Sequence, residues 1–169
     1  KVSVDGNTLY IADSTGFALS NFPLNASGTL TSTTATVETY SYTGDPVGTY
    51  PHRDVTTVAT APGIAGGDLT TDEYGDTYNI TYDNTSTGVT NAYFYKQNPT
   101  AKTWEYQGQV ATTTNFAGAA FYRGDLFVKA GTQLKKVDLT RAGSGYTGWN
   151  NPLTNVGPTS SSYSSADLA

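Results

Sequence analysis

Residues Ile64–Val110 read IAGGDLTTDEYGDTYNITYDNTSTGVTNAYFYKQNPTAKTWEYQGQV, and this stretch decides the fold. It opens on a small-residue run, Ala65-Gly66-Gly67, that leads into Asp68-Leu69. The turn formers Asp72-Glu73-Tyr74-Gly75-Asp76 follow. Thr77–Tyr82 is rich in Tyr, Thr and Ile, which suit a pleated, half-buried surface. A second turn cluster, Asp83–Gly88, precedes the aromatic run Tyr93-Phe94-Tyr95. A third, Gln97-Asn98-Pro99-Thr100, precedes Thr103–Val110. Four short β runs joined by turn residues predict an antiparallel meander. Alternation along Thr77–Tyr82 places Tyr78, Ile80 and Tyr82 on one face.

Partial copies of this unit surround it. Phe116–Phe121 matches Ile64–Leu69, and Arg123–Val128 matches Tyr74–Asn79. Gln133–Asp138 matches the run from Tyr93 to Gln97. Asp5–Ile11 carries the same turn and strand, and Ala166-Asp167-Leu168 repeats the opening Gly67-Asp68-Leu69. Four-strand repeats of roughly 40–50 residues are the signature of propeller blades. The expected class is all-β: antiparallel four-stranded blades of a partial or oligomer-completed β-propeller, with a β-sandwich as the alternative. The blades are expected at about residues 1–38, 55–110 and 112–157, with another starting at 163–169. Between the first two lies an insertion, Val37–Thr57, with Tyr40, Tyr42, Tyr50 and the only histidine, His52. A connection of that length in a compact domain is expected to leave the blade and form a contact surface. Small residues at Ala65–Gly67 and Ala117–Ala120 fit crowded inner strands around an axis. Three blades alone would leave apolar faces open. Further residues of a larger parent protein, or other chains, are therefore expected to complete the ring.

The composition narrows the function. Charged residues make up 14 % of the 169, below the usual share of about 25 %. The net charge is −5 and the pI about 4.6, which argues against a nucleic-acid or anionic-lipid face. There is no cysteine, so disulfides and thiol chemistry are excluded. No apolar run is long enough for a membrane-spanning helix. Low charge and many hydroxyls favour an exported protein.

The repeat unit resembles the propeller-like repeat region of large secreted or cell-wall-anchored bacterial surface proteins. The residues that carry the resemblance are Asp72–Ile80, Gly124–Val128, Gly6–Ile11 and Leu134–Leu139, with Ser160–Leu168 similar to the close of that region. The chain departs from the pattern in its Thr and Tyr content and in Tyr93-Phe94-Tyr95-Lys96. The resemblance implies adhesion or surface display, an extracellular or cell-surface location, and no catalytic residue to transfer.

Candidate contact residues are Tyr42, Tyr50, His52, Arg53, Trp104 and Trp149, because exposed aromatics stack on sugars and proteins. Core packing is the competing role for each. Arg123-Gly124-Asp125 is the tripeptide that host integrins read, but Gly-Asp recurs at Gly75-Asp76 as plain turn chemistry. Asp72, Asp76 and Asp83 are weak candidates for calcium, since turn carboxylates more often cap their own backbone. No cofactor is expected beyond that ion. Asn25-Ala26-Ser27, Asn79-Ile80-Thr81 and Asn84-Thr85-Ser86 are glycosylation sequons, the second of them mid-strand. The leading expectation is a non-enzymatic extracellular surface or adhesin-type module for display or protein contact. A carbohydrate-binding module is the alternative, and a secreted propeller hydrolase or lyase the third. The expected partners outside the ring are a host surface protein or glycan.

Overall fold

A computed structural model describes residues 2–4, 7–12, 18–44, 64–83, 91–114 and 116–157. Every regular element among the described residues is a β-strand. The first sheet holds β1 (Val2–Val4), β2 (Thr8–Ala12), β3 (Ala18–Pro23) and β4 (Thr36–Thr39), antiparallel and in chain order. After Tyr40 comes β5 (Ser41–Thr43). The second sheet is the predicted meander: β6 (Ile64–Thr71), β7 (Thr77–Asp83), β8 (Asn91–Asn98) and β9 (Thr103–Ala111). The third sheet holds β10 (Phe116–Tyr122), β11 (Asp125–Ala130) and β12 (Gln133–Val137). A hairpin of β13 (Thr140–Ala142) and β14 (Gly145–Thr147) follows, and β15 (Thr154–Asn155) returns to pair with β12.

Two features differ from the sequence reading. The first sheet's last strand is Thr36–Thr39, one residue past the blade end expected at about residue 38. Residues 24–31 instead close on themselves: Thr31 N–H donates to the Pro23 carbonyl at 2.9 Å, and Asn25 Oδ1 accepts from the amides of Ser27 and Thr29. The larger correction concerns Val37–Thr57. Its first part does not leave the sheets. β5 adds to the second sheet alongside β9, in parallel, with Tyr42 opposite Trp104. The sheets are therefore not wholly antiparallel. The physical reason is the pair of tyrosines. Tyr40 packs on Trp104 at 5.2 Å between ring centroids, and Tyr42 meets Tyr95 edge-on at 4.7 Å. Burying rings of this size contributes roughly 1.5–3 kcal/mol each, more than a free loop would retain. Residues 45–63 lie outside the described set.

The second sheet is the middle layer, with both faces buried. Leu69, Tyr93, Tyr95, Trp104 and Tyr42 of the second sheet form one cluster with Ala12 and Leu19 of the first sheet and with Tyr40. Tyr78, Ile80, Phe94 and Val110 face the third sheet, where they join Phe116, Leu126, Val128, Tyr146 and Trp149. Tyr78 and Ile80 do share a face, as alternation requires. The opposite face of β7 is polar in sequence yet equally covered: Thr77, Asn79 and Thr81 are all buried. Asn79 is satisfied there by donating to the Tyr42 hydroxyl at 2.6 Å, so its sequon is sealed in the core.

The opening strand of each sheet sits beside its counterparts. β6 neighbours β1 on one side and β10 on the other. β6 and β10 also each break register against their hairpin partners near the small-residue run, between Ala65 and Asp68 and between Phe116 and Gly118. A bulge at the small-residue run strengthens local twist and lets neighbouring edges approach.

Candidate functional site

Three turns meet at one end of the second and third sheets. The first, residues 72–76, joins β6 to β7. Asp72 builds it: its Oδ1 accepts from the amides of Tyr74 and Asp76, both at 2.9 Å. That capping is why an acidic, glycine-containing pentapeptide folds locally into a turn. Gly75 supplies the positive φ of 87°. The second turn is Arg123-Gly124, between β10 and β11, with φ of 53° and 84°. Two consecutive positive φ values make it the primed hairpin turn that suits strand twist. The third is the β13–β14 hairpin, which brings Arg141 and Tyr146.

Arg141 ties the first turn to the third. Its guanidinium lies 3.8 Å from the Tyr74 ring centroid and 5.0 Å from that of Tyr146. Nη1 is 3.7 Å from Asp72 Oδ2, which Tyr78 also approaches through its hydroxyl at 3.4 Å. Lys96 adds a second tie, donating to Asp76 Oδ2 at 2.7 Å and to the Ser144 carbonyl at 2.8 Å. The second turn is close by: a methyl group added at Gly124 would sit 3.8 Å from the Glu73 carboxylate. Arg123 stacks on Tyr122 at 5.2 Å.

Burial shapes the charges. Asp72 has no exposed side-chain surface, and desolvation raises its carboxyl above the usual range, opposed by the two amides it accepts. Burial pushes the Tyr146 phenol up to about 12, with the Asp72 charge adding to the effect. Tyr78 rises further, again mainly by burial and then by Asp72 and Asp76. The Arg141 guanidinium beside the Tyr146 hydroxyl opposes part of that group's rise. Nothing in this group pairs a nucleophile with a base. What it presents outward is two tyrosine rings, Tyr74 at 61 % exposure and Tyr122 at 60 %, each backed by a guanidinium.

No protein-family model, curated protein or solved structure matches the chain.

The residues singled out from sequence scatter. Tyr42, Trp104 and Trp149 are core side chains rather than ligand contacts. Trp149 is locked by its Nε1–H donating to the Tyr146 carbonyl at 3.0 Å and by rings of Tyr78 and Phe94 at 5.2 Å. Tyr50, His52 and Arg53 lie outside the described residues, as does the strand expected from Ala166. Arg123 and Asp125 are at the turn end, but Asp125 is engaged by Lys136 at 3.2 Å. Asp72 and Asp76 serve the turn and Lys96. Asp83 ends β7, and its side chain is not among those described. Among the described residues no three His, Cys, Asp or Glu side chains converge on a metal position. Tyr74, Tyr122, Arg141 and Tyr146 were not legible as a group, because the turns that carry them are far apart in sequence.

Proposed function

We propose that the three sheets are successive blades of a propeller-like region in a bacterial surface protein, and that the region is a non-enzymatic module for display or contact outside the cell. Support for the layered reading is the position of β6, between β1 and β10, with the middle sheet covered on both faces. On this reading, further residues of a parent protein or other chains cover the two outer sheets. The contact surface is the turn end. The observation that carries this is the pair of exposed tyrosines on neighbouring turns, each held by an arginine. Exposed rings fixed in place are contact residues in search of a partner, since aromatic and arginine side chains dominate binding energy.

The test is adhesion. Beads coated with the protein are applied to an epithelial cell layer, and bound beads are counted for wild type and for a Tyr74→Ala/Tyr122→Ala/Arg123→Ala variant. Loss of about tenfold or more in attachment is expected, as for removal of a few aromatic anchors. Equal attachment by a variant with unchanged circular dichroism places the contact elsewhere and overturns the reading.

A further inference from the structure

We infer that the turn end binds carbohydrate, with Tyr74 and Tyr122 as two stacking platforms for sugar rings. The inference rests on the contact surface proposed above and names its ligand class.

Four observations lead to a sugar. First, both rings are more than half exposed, while the aromatic side chains beneath them are already used. Phe121 stacks on Tyr146 at 5.4 Å and packs on Tyr78 at 5.1 Å, which seals the floor. Tyr74 is therefore backed by filled aromatic packing, and Tyr122 stands beside Phe127 at the edge of the next sheet. Second, each ring has a guanidinium against it, at 3.8 Å for Tyr74 and 5.2 Å for Tyr122. That contact fixes the ring before a ligand arrives and lowers the ordering cost of binding. The rest of each ring presents an apolar surface with a hydroxyl at its edge, which matches the CH face and hydroxyl rim of a pyranose.

Third, the exposed charges between the platforms are of mixed sign. Glu73 is exposed beside Gly124, and Arg123 is exposed on the next turn. The other carboxylates here are occupied: Asp72 by its turn and Arg141, Asp76 by Lys96, Asp125 by Lys136. One free acceptor and one free donor suit sugar hydroxyls and give no reason to select a polyanion. Fourth, the Tyr146 ring, on a side chain 6 % exposed, packs at 5.0 Å against the same arginine that backs Tyr74, so the support of that platform is itself held in place. The tryptophans that the sequence offers for sugar binding take no part, since both are sealed in the core.

The experiment uses the intact chain on an array of immobilised mammalian and bacterial glycans. Any glycan retained is then titrated in solution, with tyrosine fluorescence and calorimetry as readouts. Tyr74→Ala and Tyr122→Ala are each expected to weaken binding of that glycan about tenfold, and Tyr74→Phe to weaken it less. Glu73→Gln is expected to change which glycan is preferred. Thermal melting of each variant checks that it folds. Silence across the array overturns the inference, as does retention that neither tyrosine variant alters. Bead attachment that persists undiminished on an enzymatically deglycosylated cell layer also overturns it, while leaving the proposed contact role standing.

Discussion

Asp68 Oδ2 accepts the backbone N–H of Ala119 at 2.7 Å, and that single bond joins the opening strand of the second sheet to that of the third. The other oxygen accepts from the amide of Leu69 at 2.8 Å. Asp68 is 4 % exposed, so both amides would be stranded in a dry junction without it. A buried donor left unpaired costs about 1–3 kcal/mol. Asp68→Ala should therefore lower unfolding stability by roughly 2–5 kcal/mol, read from the urea midpoint. Asp68→Asn keeps one acceptor oxygen and should lose less. Equal stability for all three proteins would mean that the sheets are not joined there.

The third sheet is also anchored to the second through a glycine. A Cβ at Gly108 would lie 2.5 Å from Trp149 Cβ and 2.8 Å from Asn150 Oδ1. Asn150 Oδ1 accepts the Gln109 amide at 2.9 Å, so the strand and the 148–151 turn cannot separate without breaking that bond. Gly108→Ala should cost at least about 1–3 kcal/mol, the range for forcing a methyl into a packed site. Gly145 is the control. Nothing lies within 4 Å of its added Cβ and its φ is ordinary, so Gly145→Ala should stay within about 0.5 kcal/mol of wild type. Near-ultraviolet circular dichroism should show the Trp149 signal altered in the first variant alone.

These junctions mark where sequence reading stops. The strands between Ile64 and Val110 are legible because period-two patterning and turn residues act locally. Only the ends move: the aromatic run Tyr93-Phe94-Tyr95 extends to a strand over Asn91–Asn98. The capping role of Asp72 is legible for the same reason. β5 is not. Three residues, Ser41-Tyr42-Thr43, are too short a run to show period-two patterning, and they pair in register with Trp104 of a strand distant in sequence. Nor can sequence tell a core tryptophan from a stacking one. Trp104 and Trp149 are sealed by layers that arrive from residues distant in the chain. Tyr74 and Arg141 come together only because the third sheet's hairpin folds back over the second sheet's turn.

Glu38 gives a pH dependence with a definite sign. Its hydrogen bond to Lys102 holds the carboxyl below its ordinary 4.5, helped by Asn21, whose Nδ2 donates at 2.9 Å. A depressed carboxyl contributes stability that is complete above the unfolded value and is lost as pH falls through the folded one. Stability should thus decline below about pH 4.5, and the decline should be shallower in Glu38→Gln. Urea midpoints between pH 3 and 7 (a range set about the carboxyl value) measure it. Parallel curves for the two proteins would show that the pair is idle in solution.

Tyr146 acts at the other end of the scale. Its phenol is raised from 10.0 to about 12, mainly by burial. The folded chain then keeps a proton that the unfolded chain releases, so this contribution is full below pH 10 and is lost as pH rises towards 12. Tyr146→Phe removes both the titration and a buried hydroxyl whose polar neighbour is the Arg141 guanidinium. At pH 7 the variant should stay within about 1 kcal/mol of wild type, the net worth of one hydrogen bond at most. Its stability should also fall less steeply above pH 10, followed by phenolate absorbance. A clear loss at pH 7 would mean that the hydroxyl is bonded in solution.

Lys129 supplies the last prediction. Leu126, Val128 and Ala130 of β11 face the second sheet, so Phe127 and Lys129 project from the opposite, outer face. Phe127 meets the exposed Tyr122 there, at 6.5 Å between ring centroids. Lys129 stands five residues after the turn glycine Gly124, as Ile80 stands five after Gly75. Ile80 is apolar and covered by the next sheet. Lys129 is also covered, at 5 % exposure, yet its ammonium has no hydrogen-bond partner. Replacing a buried charge by an apolar side chain of similar volume is often neutral or stabilising by about 1–4 kcal/mol. Lys129→Met should therefore raise the urea midpoint of the isolated chain, with no change in the slope of the transition. If the variant is less stable instead, a carboxylate already neutralises the ammonium, and the outer face of the third sheet is a finished interface rather than an open one.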